Sequence, residues 1–290
     1  MTEARRTPLT VLLVRQVRYQ VRTFRRNPVA AFFTFFFPLI FLVLFDALQG
    51  NHHVTFAGQT VAFSQFFTPA IAVFALVTSC YTNLVMTTSM ARDEGILKRV
   101  RGTPLPAWVY MAGRVGATVW VGLMSVAIMF VIGVAAYGVR LYPHTLPAAI
   151  VTLLVGAGTF AALGLAVTGL VPNSEAAPAV ANFTILPLTF VSGVFFPVGS
   201  GPTWLQDFGK VFPLEHFVNA FGYAFTPGVA GAGFQGKDLL VMAVWGVAGM
   251  VVASRFFTWE PRAVGGRRAR GAARGRRHGR AGTAAARSED

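Results

Sequence analysis

LPAAIVTLLVGAGTFAALGLAVTGLVPNS, Leu146 to Ser174, contains no Asp, Glu, Lys or Arg. A helix of about 20 apolar residues crosses the roughly 30 Å hydrocarbon core of a bilayer, so this stretch alone is long enough for one span. Four more runs share its character: Val29 to Phe45, Val54 to Ala91, Val115 to Val139 and Ala176 to Gln206. Of the 290 residues 54% are apolar and only 12% charged, and the mean hydropathy is +0.57. That composition excludes an ordinary soluble domain. In hydrocarbon every backbone polar group must be paired within the segment, which makes the spans helices.

Six spans are expected, at 29–48, 66–90, 115–138, 146–171, 176–198 and 238–257. The fold class is therefore an all-α integral membrane protein, with an amphipathic lead (1–28), a six-span domain (29–257) and a basic tail (258–290). Orientation follows from the basic residues. With the N-terminus inside, 22 of the 25 Lys and Arg fall on inside segments, and an even number of spans returns the C-terminus to the cytoplasm. No cleavable signal peptide is expected before the first span, because a long basic lead precedes it.

Within the spans, Gly158, Ala162 and Ala166 recur every four residues and should let a neighbouring backbone approach. Pro38, Pro69 and Pro187 should bend or end their helices. No Asp, Glu, Lys, Arg or His lies near the middle of an expected span, which argues against a self-powered pump. The energy source should lie on another protein.

The segments between spans carry the rest. Residues 9–26, LTVLLVRQVRYQVRTFRR, put Val14, Val17, Val21 and Phe24 on one helical face and Arg15, Arg18, Arg22 and Arg25 on another, as in a helix lying along a membrane surface. ARDEGILKRVRGTPLPAWVYMAGR, 91–114, places Asp93 and Glu94 before Lys98, Arg99 and Arg101, the order a helix dipole favours, and Gly102-Thr103-Pro104 stops it. It reads as a protein-docking helix on the inside face. The aromatic outside segment 199–237 should form short helices dipping back into the outer leaflet.

Other chemistry is unsupported. GAGFQGKD, Gly231 to Asp238, imitates a phosphate-binding loop, but Asp238 replaces the magnesium-binding hydroxyl and no strand precedes it. His52, His53, His144, His216 and His278 show no zinc spacing, and neither H-E-x-x-H nor G-x-S-x-G occurs. No catalytic or metal site is expected. Lone Cys80 excludes an intrachain disulfide. The Arg-rich tail should touch anionic lipid rather than nucleic acid, since no folded nucleic-acid-binding module accompanies it.

The order of these pieces carries a resemblance over about residues 9–257: the amphipathic lead, FSQFFTPAIAVF opening the second span, ARDEGILKRVRGTPLP after it, SGVFFPV ending the fifth, and PTWLQDFGKVFPLEHFVNAF before the sixth. The chain resembles the membrane subunit of type-2 ATP-binding-cassette (ABC) exporters. It departs from the family where an arginine often stands and Phe221-Gly222-Tyr223 occurs here. The resemblance implies a bacterial plasma-membrane permease that pairs with a second copy or a homologous permease. A separate nucleotide-binding subunit would hold ATP and Mg, and this chain would bind no cofactor. By the same resemblance, Arg92, Asp93, Glu94, Gly95, Lys98, Arg99, Thr103 and Pro104 would couple to the ATPase, with Arg18 and Arg22 of the lead helix beside them. Phe66, Phe67, Asn83, Phe190, Phe195 and Phe196 would line the path. The expected cargo is drug-like or lipid-like and amphipathic. A polysaccharide or teichoic-acid exporter is the alternative in the same class, and a membrane scaffold or ATP-independent channel the alternative outside it.

Overall fold

The computed structural model describes residues 8–49, 52–103, 105–197 and 203–257. The lead helix α1 (Leu9–Arg25) is followed by α2 (Pro28–Gln49), a hairpin of β1 (His53–Phe56) and β2 (Gln59–Ala62), and α3 (Phe63–Asp93). Next come α4 (Ile96–Arg101), α5 (Ala107–Tyr137), α6 (Leu146–Leu170) and α7 (Ala177–Val191). The chain closes with α8 (Thr203–Gly209), α9 (Pro213–Tyr223) and α10 (Gly236–Phe256).

Five helices, α2, α3, α5, α6 and α10, are long and apolar enough to cross a membrane. The expected fifth span is shorter than its apolar run: α7 has 15 residues, a rise of about 22 Å, and stops at Ser192-Gly193, where Gly193 takes a φ of +74°. The expectation of an all-α chain is also corrected. His53–Phe56 pairs antiparallel with Gln59–Ala62 through the two-residue loop Ala57-Gly58, whose φ values of 50° and 75° match the twist of a tight hairpin.

Helix α3 runs through the centre of the bundle. Its residues from Phe63 to Val77 are almost all buried, and α2, α5, α6 and α9 pack around it. By contrast α2, α7 and α10 expose Phe32, Ile40, Phe183, Leu240 and Val247. Hydroxyls bridge the helices, as Ser79 donates to the Thr118 carbonyl at 2.8 Å and Thr159 to that of Met242 at 2.9 Å. Such bonds hold helices together where water does not compete.

Small residues bring α6 close to α10 and to α3, in part through the expected stripe. Gly158 faces open space, although Ala162 and Ala166 are buried. The close approach is made by Gly164 against the Cys80 and Tyr81 backbone and by Gly249 against Ala162 and Leu163. Ala162 of the stripe thus meets Gly249 of α10, whereas Gly164, two residues on and so on the opposite face of α6, meets α3. Pro69 and Pro187 lie inside helices that continue past them, and wide π turns occur at Phe32–Phe36, just before Pro38, and at Thr78–Asn83. The mimic of a phosphate loop runs into the start of α10 with no strand before it.

Candidate functional site at the basic end of the bundle

Helix α3 ends on the segment singled out by its charges. Arg92 is fully buried, and its guanidinium donates to the carbonyls of Thr168 and Val171 at 3.0 Å each. Those carbonyls lie at the end of α6, where the last peptide groups have no partner within the helix. Its Nε also donates to Asp93 Oδ1 at 3.2 Å, and Asp93 Oδ2 accepts from the Ser174 backbone N–H at 2.5 Å. In the turn before α7, Asn173 Oδ1 accepts from the Ala176 N–H at 2.8 Å. One dipeptide on α3 thus ties down the short connection between α6 and α7. A planar guanidinium with several fixed donors suits this multiple role better than lysine would.

The chain then turns sharply. Glu94 ends α3, Gly95 adopts a φ of +69° that a side chain would strain, and α4 starts at Ile96. Asp93 and Glu94 were expected at the start of the docking helix; they belong to the end of the preceding one. The left-handed glycine decides this, because it breaks the helix after the acids. Arg99 donates back to the Glu94 carbonyl at 3.0 Å, and Thr103 Oγ1 donates to the Val100 carbonyl at 2.7 Å, closing α4 at both ends. Buried Leu97 packs with Ala91 and Tyr110, which fixes α4 against α3 and α5. Lys98, Arg99, Arg101, Gly102 and Thr103 remain exposed, as does Glu94. Pro104 lies outside the described residues.

The lead helix joins this end through packing. Gln16 and Val17 lie against Gly113 and Gly116 of α5, where a Cβ would collide with the Gln16 side chain or press on Val17. Arg18 and Arg22 are exposed, and among the described residues neither pairs with Asp93 or Glu94. Between α1, α3, α4 and α5 lies a cavity of about 470 Å³. It takes in Asn83 and Glu94 together with Arg114.

The residues expected along a central path separate into three groups. Phe66 and Phe67 are buried inside the subunit among Phe45, Phe56 and Phe63. Phe195 is buried too, its ring centroid 5.0–6.2 Å from those of Phe41, Phe45, Phe74 and Phe190. Asn83 faces the cavity beside the lead helix. Only Phe190 and Phe196 are exposed, at 62% and 52%. Phe195 turns inward because the chain folds back after Gly193, so adjacent rings at 195 and 196 point to opposite sides.

Sequence reasoning missed Arg114, counted only as a basic residue near a helix end, and Gln65. Gln65 Nε2 donates to the carbonyls of Arg140 and Phe225 at 2.9 and 2.8 Å, and Oε1 accepts from the Arg140 N–H at 2.8 Å. A glutamine or arginine inside an apolar stretch was the available signal, since a polar group there needs named partners.

The fold defines a multi-span helical membrane protein whose basic end is stitched together by Arg92 and Asp93, with no metal-binding cluster among the described residues. The family model described as ABC-2 type transporter matches residues 10–226, and the chain belongs to that family. It is similar to the inner membrane transport permease YadH of Escherichia coli, 26% identical over 190 residues that cover 65% of this chain and 73% of the relative. The putative transport permease YvfS of Bacillus subtilis is 22% identical over 206 residues, covering 71% and 82%. The daunorubicin resistance ABC transporter permease protein DrrB1 of Streptomyces coeruleorubidus is 26% identical over 224 residues, covering 75% of each chain. The matched domain is the permease part of such a transporter and carries no ATPase site; nucleotide binding lies on a separate partner subunit.

Proposed function

We propose that this chain is the export permease of an ATP-driven transporter for amphipathic, drug-like or lipid-like molecules. It works as a dimer with a second copy or a homologous permease, in a bacterial plasma membrane. Its termini are cytoplasmic, and α7 with the turn after it completes a sixth crossing. The segment 199–237 forms the outer re-entrant part, and the basic tail 258–290 rests on anionic lipid. The names of relatives such as DrrB1 favour drug cargo.

The observation that carries this reading is the Arg92–Asp93 stitch. A permease without its own energy source must receive motion through a stiff contact, and here the exposed helix α4 is continuous with a knot that also grips α6 and α7. The ATPase docks on Glu94, Lys98, Arg99 and Thr103, with Arg18 and Arg22 of α1 flanking them; Gly95 supplies the turn that presents α4. Phe190 and Phe196 face the second subunit and contribute to an apolar constriction.

Reversing the exposed charges tests this. Lys98→Glu combined with Arg101→Glu should leave membrane insertion and thermal stability unchanged while reducing recovery of the ATPase subunit on copurification about tenfold or more, as expected for charge reversal at an interface. Unchanged copurification and unchanged transport per ATP would make α4 a solvated loop.

A further inference from the structure

We infer that the cavity between α1, α3, α4 and α5 binds the anionic headgroup of an amphiphile, held by Arg114. This goes beyond the docking reading, because the site lies within one subunit and needs no ATPase.

Three observations meet at Arg114. Its side chain is buried, with 7% exposure, on the second turn of an otherwise apolar helix. Among the described residues its guanidinium donates to a neutral group, the Tyr110 hydroxyl at 2.8 Å, and its guanidinium carbon lies 5.6 Å from the centre of the same ring. Among the described residues no carboxylate forms an ion pair with it. Arginine stays charged under all ordinary conditions, and a buried charge without a counter-ion is costly. Arg92 solves the same problem with two helix-end carbonyls and Asp93; Arg114 instead lines an open volume of about 470 Å³.

The walls specify the rest of the ligand. Gln20, Asn83 and Thr118 offer hydrogen bonds, whereas Phe24, Met90 and Val121 are apolar, so the volume suits a polar head on an apolar body. Glu94 also lines it but is exposed to solvent, where its repulsion of an anion is screened. One wall is α1, which exposes Leu9, Val11 and Val14 together with Arg15, Arg18 and Arg22, the pattern of a helix at headgroup depth. A phosphate or carboxylate entering there would meet a guanidinium able to bind two oxygens at once. The amphiphile is either a membrane phospholipid or a free amphiphilic acid.

Native mass spectrometry of the full-length permease in detergent tests this, with phosphatidylglycerol against phosphatidylcholine of the same chains in one arm and oleate against oleyl alcohol in the other. The wild type should retain one anionic ligand per subunit about tenfold more tightly than its uncharged or zwitterionic counterpart, the size expected for a charge-assisted hydrogen bond. R114Q should abolish that preference, R114K should keep part of it, and R15Q, on the exposed face of α1, should leave it unchanged. Preference for phosphatidylglycerol alone identifies a resident lipid; preference for oleate alone identifies a free amphiphile. A preference that survives R114Q, or that falls equally in R15Q, overturns the site. R114K, with melting of each variant, separates lost binding from lost folding.

Discussion

The two ends of α3 are anchored differently. At one end Arg92 and Asp93 grip the α6–α7 connection through a buried charge and three backbone groups. At the other, neutral Gln65 pins the loop after α5 and the end of α9, and the surroundings are filled by rings: Phe63 on Phe67, Phe56 on Phe66, Phe45 on Phe195. Directional bonds to a buried guanidinium allow one arrangement and cost much to break. Ring packing is broader in geometry and can slide among offset and edge-on forms at small cost. One end is therefore held in a single geometry, whereas the other is held by contacts that tolerate repacking.

Breaking the stiff end should have the largest effect. Arg92→Met leaves the Thr168 and Val171 carbonyls without their donors and Asp93 without its cation, so stability should fall by about 3 kcal/mol or more. A melting curve in detergent measures this, and a loss below about 1 kcal/mol would show the knot to be ornamental. At the ring-packed end, Phe195→Ala empties a buried site and should cost about 2 kcal/mol, whereas Phe196→Ala, exposed at 52%, should stay within about 0.5 kcal/mol. Equal losses for the two would mean that the neighbouring rings do not face opposite sides.

The smallest effect sharpens the comparison by asking what a buried acid with one unpartnered oxygen does on α9. Glu215 is 3% exposed, its Oε2 has no hydrogen-bond partner, and burial pushes its carboxyl up from 4.5. The folded chain therefore holds this proton more firmly than the unfolded one. Its contribution favours folding at low pH and is lost as the pH rises through the carboxylate range. Glu215→Gln should leave stability at neutral pH equal or slightly higher and flatten its fall between acidic and neutral pH. A steeper fall in the variant would contradict the assignment.

Much of the architecture was legible because hydrocarbon imposes a simple rule. Uncharged runs must become helices, so α2, α3, α5, α6 and α10 lie close to the stretches read from composition. The hairpin at 53–62 was hidden because its alternation of Val and Thr with polar residues sits at the edge of an apolar run and was absorbed into it. The mixed-charge segment does form a short helix, yet its acids were given the wrong neighbours. Charge order along the chain favours a helix starting at Asp93, but the backbone turn at Gly95 outweighs a dipole contribution of under about 1 kcal/mol.

The sequence by itself determined that the chain is a helical membrane protein, roughly where it crosses, and which segment between spans carries mixed charge. These follow from the cost of putting charges and unpaired peptide groups into lipid, which is paid locally along the chain. Only the tertiary structure decided which polar groups are spoken for. Arg92 and Arg114 are both arginines at the ends of apolar runs, and their difference lies in Thr168, Val171 and Asp93 for one and an open cavity for the other. Partners 76 and 79 residues away cannot be read from local spacing, because helix packing alone brings those carbonyls within hydrogen-bond reach.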